Sequence, residues 1–158
     1  MDNITAALIG TGVGALTTVA AALVGPSIAA RKTTRREHRK DVRDEIANVL
    51  LAFMSLLAAR RTGSNDQLRV HAEALTAVTR LSVLLGPREL DVEKALDYAL
   101  DLLSNAKLAA AAAAIEALRV VLHSWYRGEV RGKKIGDLYG EELDVALRRA
   151  TGSDSPRR

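Results

Sequence analysis

The pattern of apolar and charged positions divides the chain at once. From Ile4 to Ala30 no side chain is charged, and Ile4 to Val24 alone is 21 residues. That length suits a helix rising ~1.5 Å per residue across ~30 Å of hydrocarbon. An N-terminal transmembrane helix is expected over residues 1–30. Its apolar side chains, Leu8, Ile9, Val13, Leu16, Val19, Leu23 and Val24, are diluted by Gly10, Gly12, Gly14, Gly25 and four Thr. The competing reading is an amphipathic or wholly buried helix of a soluble assembly. Gly25-Pro26 kinks or ends the run, because proline lacks an N–H and clashes with the preceding turn.

The dilution has a period. Ala6, Gly10, Gly14, Thr18 and Ala22 recur every four residues, with a G-x-x-x-G at Gly10 to Gly14. Small residues in such a row let two helix backbones approach closely in lipid, so a homo-oligomer through this stripe is one expectation. The other is that Gly, Ala and Thr are simply common here. Gly10-Thr11-Gly12-Val13-Gly14 does not form a phosphate-binding loop, since no strand precedes it and no Lys-Ser/Thr follows.

Beyond the span the period becomes that of amphipathic helices. Val42, Ile46, Val49, Leu50, Phe53 and Leu57 form one stripe of a helix running from Thr33 or Thr34 to about Arg61. Thr62 to Asp66 is a turn, with Ser64 or Asp66 placed to cap the next helix. That helix is expected to turn Leu68, Ala72, Leu75, Val78, Ser82 and Leu85 inward. It should end at Gly86-Pro87 with the glycine in the left-handed closing conformation. Val92, Leu96, Ala99, Leu100 and Leu103 make a further stripe, with Glu89, Asp91 and Glu93 at the positive end of the helix dipole. Asn105 either breaks that helix or lies inside it. A break returns Trp125 toward the membrane, whereas one long helix from Arg88 to Arg127 carries it far away.

Leu108 to Ile115 is apolar enough to suggest a second crossing. Lys107, Glu116 and Arg119 exclude it, since each ionised group in hydrocarbon costs ~3 kcal/mol. Ile115, Leu118, Leu122 and Trp125 read as a core stripe instead. A basic loop follows, with Arg127, Arg131, Lys133 and Lys134 beside Trp125 and Tyr126. It suits a membrane interface, or a core-closing Trp125 with solvated lysines. A last helix, capped by Asp137, is expected from Glu141 to Ala150, and a disordered tail over 153–158.

Composition agrees with an all-α fold: 48% of residues are hydrophobic, only 3% aromatic, and cysteine is absent. Disulfides and thiolate chemistry are thereby excluded. The net charge of +4 is local. Seven basic residues, Arg31, Lys32, Arg35, Arg36, Arg39, Lys40 and Arg43, face only Glu37 and Asp41, which leaves +5 over 31–43. Residues 44–158 carry sixteen charges of each sign, and Asp2 supplies the remaining −1. A positive cluster after an apolar run places the N-terminus outside and the rest in the cytoplasm, and it is the wrong order for a cleaved signal. Anionic lipid head groups are the natural partner of the seven basic residues. Nucleic acid is disfavoured because no base-stacking aromatic lies near them.

Motifs for chemistry are missing. His38, His71 and His123 have no paired metal spacing, and there is no G-x-S-x-G elbow or Walker loop. No catalytic, cofactor or metal residue is nominated, and no enzyme is expected.

The chain resembles uncharacterised short actinobacterial single-pass membrane proteins. The resemblance rests on the span and basic stretch from Ile4 to Arg43, on Leu84-Leu85-Gly86-Pro87 with the Val92 to Leu103 helix, and on Ala146-Leu147-Arg148-Arg149-Ala150. Trp125 to Gly140 departs from that pattern. It implies a membrane topology and no activity. The expectation is an N-terminal transmembrane helix, a basic juxtamembrane segment over 31–43 and an antiparallel bundle of about four helices over 44–152. Such a chain would be a membrane-anchored scaffold or regulatory protein with a cytoplasmic protein partner. The alternatives are a holin-like membrane-perturbing protein and a soluble assembly with the first helix buried between subunits.

Overall fold

The computed structural model describes residues 34–87 and 89–151, and within them every regular element is a helix. The expected span, its small-residue stripe and the tail lie outside the described residues. The chain divides after Lys40 into two units, each described by itself. In the first, residues 34–40 are helical and exposed.

The second unit holds five helices rather than about four: α1 over 41–62, α2 Gln67–Leu84, α3 Leu90–Asn105, α4 Leu108–Arg127 and α5 Lys134–Ala150. Side-chain contacts give their directions. Arg60 near the end of α1 reaches carbonyls at the end of α3, and His71 at the start of α2 meets Ser104 at the end of α3. Glu116 in α4 pairs with Arg149 at the end of α5. Successive helices are therefore antiparallel. α3 packs against α2, α4 and α5.

The stripes predicted for α1 and α3 lie inside. Val42, Val49 and Phe53 are buried, with Ile46, Leu50 and Leu57 half-buried against the core. All five α3 positions, Val92, Leu96, Ala99, Leu100 and Leu103, are buried. In α4, Leu118 and Leu122 are buried and Ile115 and Trp125 half-buried. Asn105 ends α3, and the chain turns back through Ala106-Lys107. Trp125 lies near the other end of α4 from this turn, half-buried against the core.

Four expectations are corrected. In α2 the buried face is Val70, Ala74, Ala77, Val78 and Leu81; of the predicted inner stripe, Leu68, Ala72 and Leu75 point outward. Neither Ser64 nor Asp66 caps α2 through its side chain. The Ser64 hydroxyl instead accepts the Asp66 amide at 3.2 Å. Gly86 does not take the left-handed conformation, since α2 ends in extended backbone at Leu85. Gly63 and Gly128 close helices that way, at φ 63 and 79. Gly128 donates to the Trp125 carbonyl at 2.8 Å while Glu129 donates to Ser124 at 2.9 Å, a Schellman closure. Finally, α5 begins at Lys134, seven residues before Glu141, so Asp137 lies in its first turn. Ile135, Tyr139, Leu143 and Ala146 are its buried face.

Among the described residues α4 is the one helix long and apolar enough to cross a membrane. Ala111, Ala113, Ala114, Ala117, Leu118, Val121 and Leu122 place it in the bundle core instead. Burying that face against α3 and α5 removes apolar area from water at ~25 cal/mol per Å², and Glu116 and Arg119 remain exposed.

Candidate functional site

Of the residues proposed for helix association, Ala6, Gly10, Gly14, Thr18 and Ala22 all lie outside the described residues, as do Arg31 and Lys32. Arg35, Arg36, Arg39 and Lys40 are exposed on the helical segment 34–40, where positions 36, 39 and 40 share a face. Arg43 is exposed and bound to Asp44 at 3.2 Å, which offsets part of its charge.

The polar clefts of the bundle border α2. Between α1 and α2, Asp41, Asp44 and Glu45 face Thr79, Arg80 and Val83. The same groove continues along Asn48, Arg69, Glu73 and Thr76. Arg69 is held by Glu73 at 2.5 Å and by Asp66 at 3.6 Å. Between α2 and α3 lies a cleft of about 440 Å³ lined by His71, Asp97, Leu100, Asp101, Ser104 and Asn105.

This second cleft joins a histidine, a serine and carboxylates, which sequence spacing could not have paired: His71 and Ser104 are 33 residues apart. The arrangement is not that of a nucleophile and its base. The Ser104 hydroxyl donates to the Leu100 carbonyl at 2.8 Å, so at the 3.3 Å contact with His71 Nδ1 the serine oxygen accepts. An imidazole that donates to serine cannot remove its proton. Asp101 accepts from Asn105 at 2.7 Å and does not orient the imidazole. Among the described residues no group of three or more His, Asp or Glu could hold a metal.

The outward side of α2 separates these clefts. Leu68, Ala72, Leu75, Thr79 and Val83 are all exposed, with Leu68 at 86% and Val83 at 79% of full exposure. The charged residues of the helix, Arg69, Glu73 and Arg80, gather on the α1 side. α3 presents Asp97 and Asp101 on the other side. α1 is also apolar outward at Leu51 and Met54.

One buried polar group stands apart. Tyr139 is 4% exposed, and its hydroxyl meets no hydrogen-bonding protein group. Its ring contacts Tyr98 edge-on at 5.9 Å. Burial first, and then Tyr98, raise its pKa well above the ordinary 10.0.

No protein-family model, no curated protein and no solved structure matches the chain.

Proposed function

We propose that the chain is a single-pass membrane protein whose helical bundle is a non-enzymatic scaffold or regulatory docking surface on the cytoplasmic side. The observation that carries the docking role is the outward face of α2, an uncharged strip of five exposed positions that includes the large apolar side chains Leu68, Leu75 and Val83. Exposed apolar strips bordered by polar residues are where soluble domains bind partners.

The anchor reading rests on the charge-free run from Ile4 and the +5 cluster that follows it. In this reading Arg31, Lys32, Arg35, Arg36, Arg39, Lys40 and Arg43 set orientation and contact anionic head groups. The stripe Ala6, Gly10, Gly14, Thr18 and Ala22 allows self-association. Fractionation tests the anchor: the full chain should stay with membranes through alkaline washing and leave them only with detergent. Release into the supernatant without detergent would overturn it.

A further inference from the structure

The outward face of α1 carries a seam that is its own complement. Asp44, Ala47, Leu51, Met54, Ala58 and Arg61 are spaced three, four, three, four and three residues apart, the interval at which two helices interlock side chains along their length. All six are exposed, Leu51 at 62% and Met54 at 58% of full exposure. They lie on the side of the helix away from Val42, Val49, Phe53 and Leu56, which are buried in the core. From either end the seam reads charged, small, large, large, small, charged, and its two ends are opposite in sign. Asp44 accepts from Arg43 at 3.2 Å, with both side chains at least half exposed, and a carboxylate takes more than one donor. Arg61 is exposed, and among the described residues no ion pair engages it.

We propose that this seam pairs two copies of the chain, antiparallel, about a two-fold axis between residues 52 and 53. Antiparallel pairing sets Asp44 against the second copy's Arg61 at both ends, Ala47 against Ala58, and Leu51 against Met54. Each copy offers the same patch, as a two-fold interface requires. Parallel pairing sets every residue against its own copy. The apolar layers are then small on small and large on large as before, but Asp44 meets Asp44 and Arg61 meets Arg61. Charge therefore fixes the direction. A foreign helix has no need of a seam that is symmetric about its own midpoint, and a lipid surface does not read the alternating spacing. Two anchored chains form the pair with α1 lying along the membrane surface and the two-fold axis along the bilayer normal. The inference goes beyond the docking role of α2 and does not depend on the anchor.

The chain has no cysteine, so introduced thiols report the pairing alone. Full-length Ala47→Cys and Ala58→Cys chains, with tags of different mass, are mixed in neutral detergent and oxidised. Across the antiparallel seam the two positions face each other, within the ~7 Å between Cα atoms that a disulfide spans. Position 47 and its own copy are eleven residues out of step, about 16 Å along the helices. The mixture should therefore give about tenfold more disulfide dimer than either variant alone, or than Lys94→Cys at an exposed site on α3. Leu51→Lys in both chains should lower the yield about tenfold by placing charge in the central layers. Asp44→Arg should lower it about as much, by setting arginine against Arg61 at both ends, and Asp44→Arg with Arg61→Asp should restore it.

All these substitutions are at exposed positions, and helical circular dichroism confirms that each variant is folded. Dimers of Ala47→Cys alone and of Ala58→Cys alone, as abundant as the mixed dimer, would overturn the proposal in favour of parallel pairing. A mixture no better than Lys94→Cys would overturn the seam itself, leaving that face to lipid or to another protein. A yield indifferent to Leu51→Lys, or one that the charge swap fails to restore, would also overturn it. The thiol readout is taken in detergent, so its failure with a chain that resists alkaline washing counts against this inference alone.

Discussion

Arg60 holds the break between α3 and α4, and removing it should weaken the bundle more than any other half-buried polar substitution. Its guanidinium donates from Nη1 to the Leu103 carbonyl and from Nη2 to the Ala106 carbonyl at 2.8 Å. A helix ends with carbonyls that have no intrahelical donor, and its C-terminus carries partial negative charge. One planar cation satisfies two such groups and anchors α1 to a turn only two residues long. A charged donor contributes ~1.5–3 kcal/mol per hydrogen bond. Because Arg60 is half-buried and water can reach freed carbonyls, the low end applies, giving about 3 kcal/mol for the pair.

Arg60→Met keeps the apolar stem and removes only the donors. Its expected loss of about 3 kcal/mol is a large part of the ~5–15 kcal/mol that stabilises a domain. Urea unfolding of the full chain in neutral detergent, followed by circular dichroism, measures it. At a slope of ~2 kcal/mol per M the midpoint falls by about 1.5 M with the slope unchanged. Arg60→Lys, which can reach one carbonyl, should recover about half. A methionine variant within ~0.5 kcal/mol of the parent would refute the clamp.

Tyr139→Phe removes a buried hydroxyl that no protein group satisfies, so stability should be unchanged or rise by ~1 kcal/mol, and a loss beyond ~1 kcal/mol in the same melt would contradict this. Because the folded-state pKa of Tyr139 lies above the unfolded value, near 10.0, its proton stabilises the fold below pH 10 and this contribution is lost as pH rises above it; alkaline titration of stability should be shallower in Tyr139→Phe than in the parent. Gly136 and Gly140 lie within α5, and an added methyl meets nothing within 4 Å at either. Each Gly→Ala change should therefore stabilise by ~0.5–1 kcal/mol, and destabilisation would mean that this face is covered. Leu118 is fully buried in α4, and Leu118→Ala should cost ~2–5 kcal/mol in urea unfolding, with less than ~1 kcal/mol showing that the site collapses freely.

What could be read from the sequence depended on whether a helix had one apolar face or two. α3 has one. Its outward positions Lys94, Asp97 and Asp101 are charged, and all five residues read as its stripe are buried, although Ala95 was not singled out. α1 was legible because Arg43 and Asp44 interrupt the other side, although Leu56 and Ala59 were not singled out. The start of α5 was missed because Gly136 and Gly140 lower helix propensity around Asp137, a residue typical of caps. Yet Ile135 and Tyr139 already stood at the spacing of Leu143 and Ala146. The break at Asn105 was visible only as an option, since Arg60, 45 residues earlier, is what holds it. The His71–Ser104 contact had no local signature either.

α2 shows why periodicity fails when both sides are uncharged. Leu68, Ala72 and Leu75 offer more apolar area than Val70, Ala74 and Ala77, so area alone selects the wrong face. The smaller face suits the helix that α2 packs against, since Ala95 and Ala99 of α3 are buried in the core. Helices whose facing residues are that small pack near the close end of the ~8–10 Å range, where two leucines would overfill the gap at ~1–3 kcal/mol. Rotating α2 would also move Arg69 and Glu73 away from the α1 groove that now holds them. Two sets of variants decide between these phases. Leu68→Lys, Leu75→Lys and Val83→Lys together should change the unfolding free energy by no more than ~0.5 kcal/mol per site. Ala74→Lys alone places a charge at a position with no exposed surface, and it should unfold the bundle or cost several kcal/mol. If the triple variant unfolded and Ala74→Lys did not, α2 would be rotated to the face that its leucines favour, and the strip proposed for docking would lie inside the core.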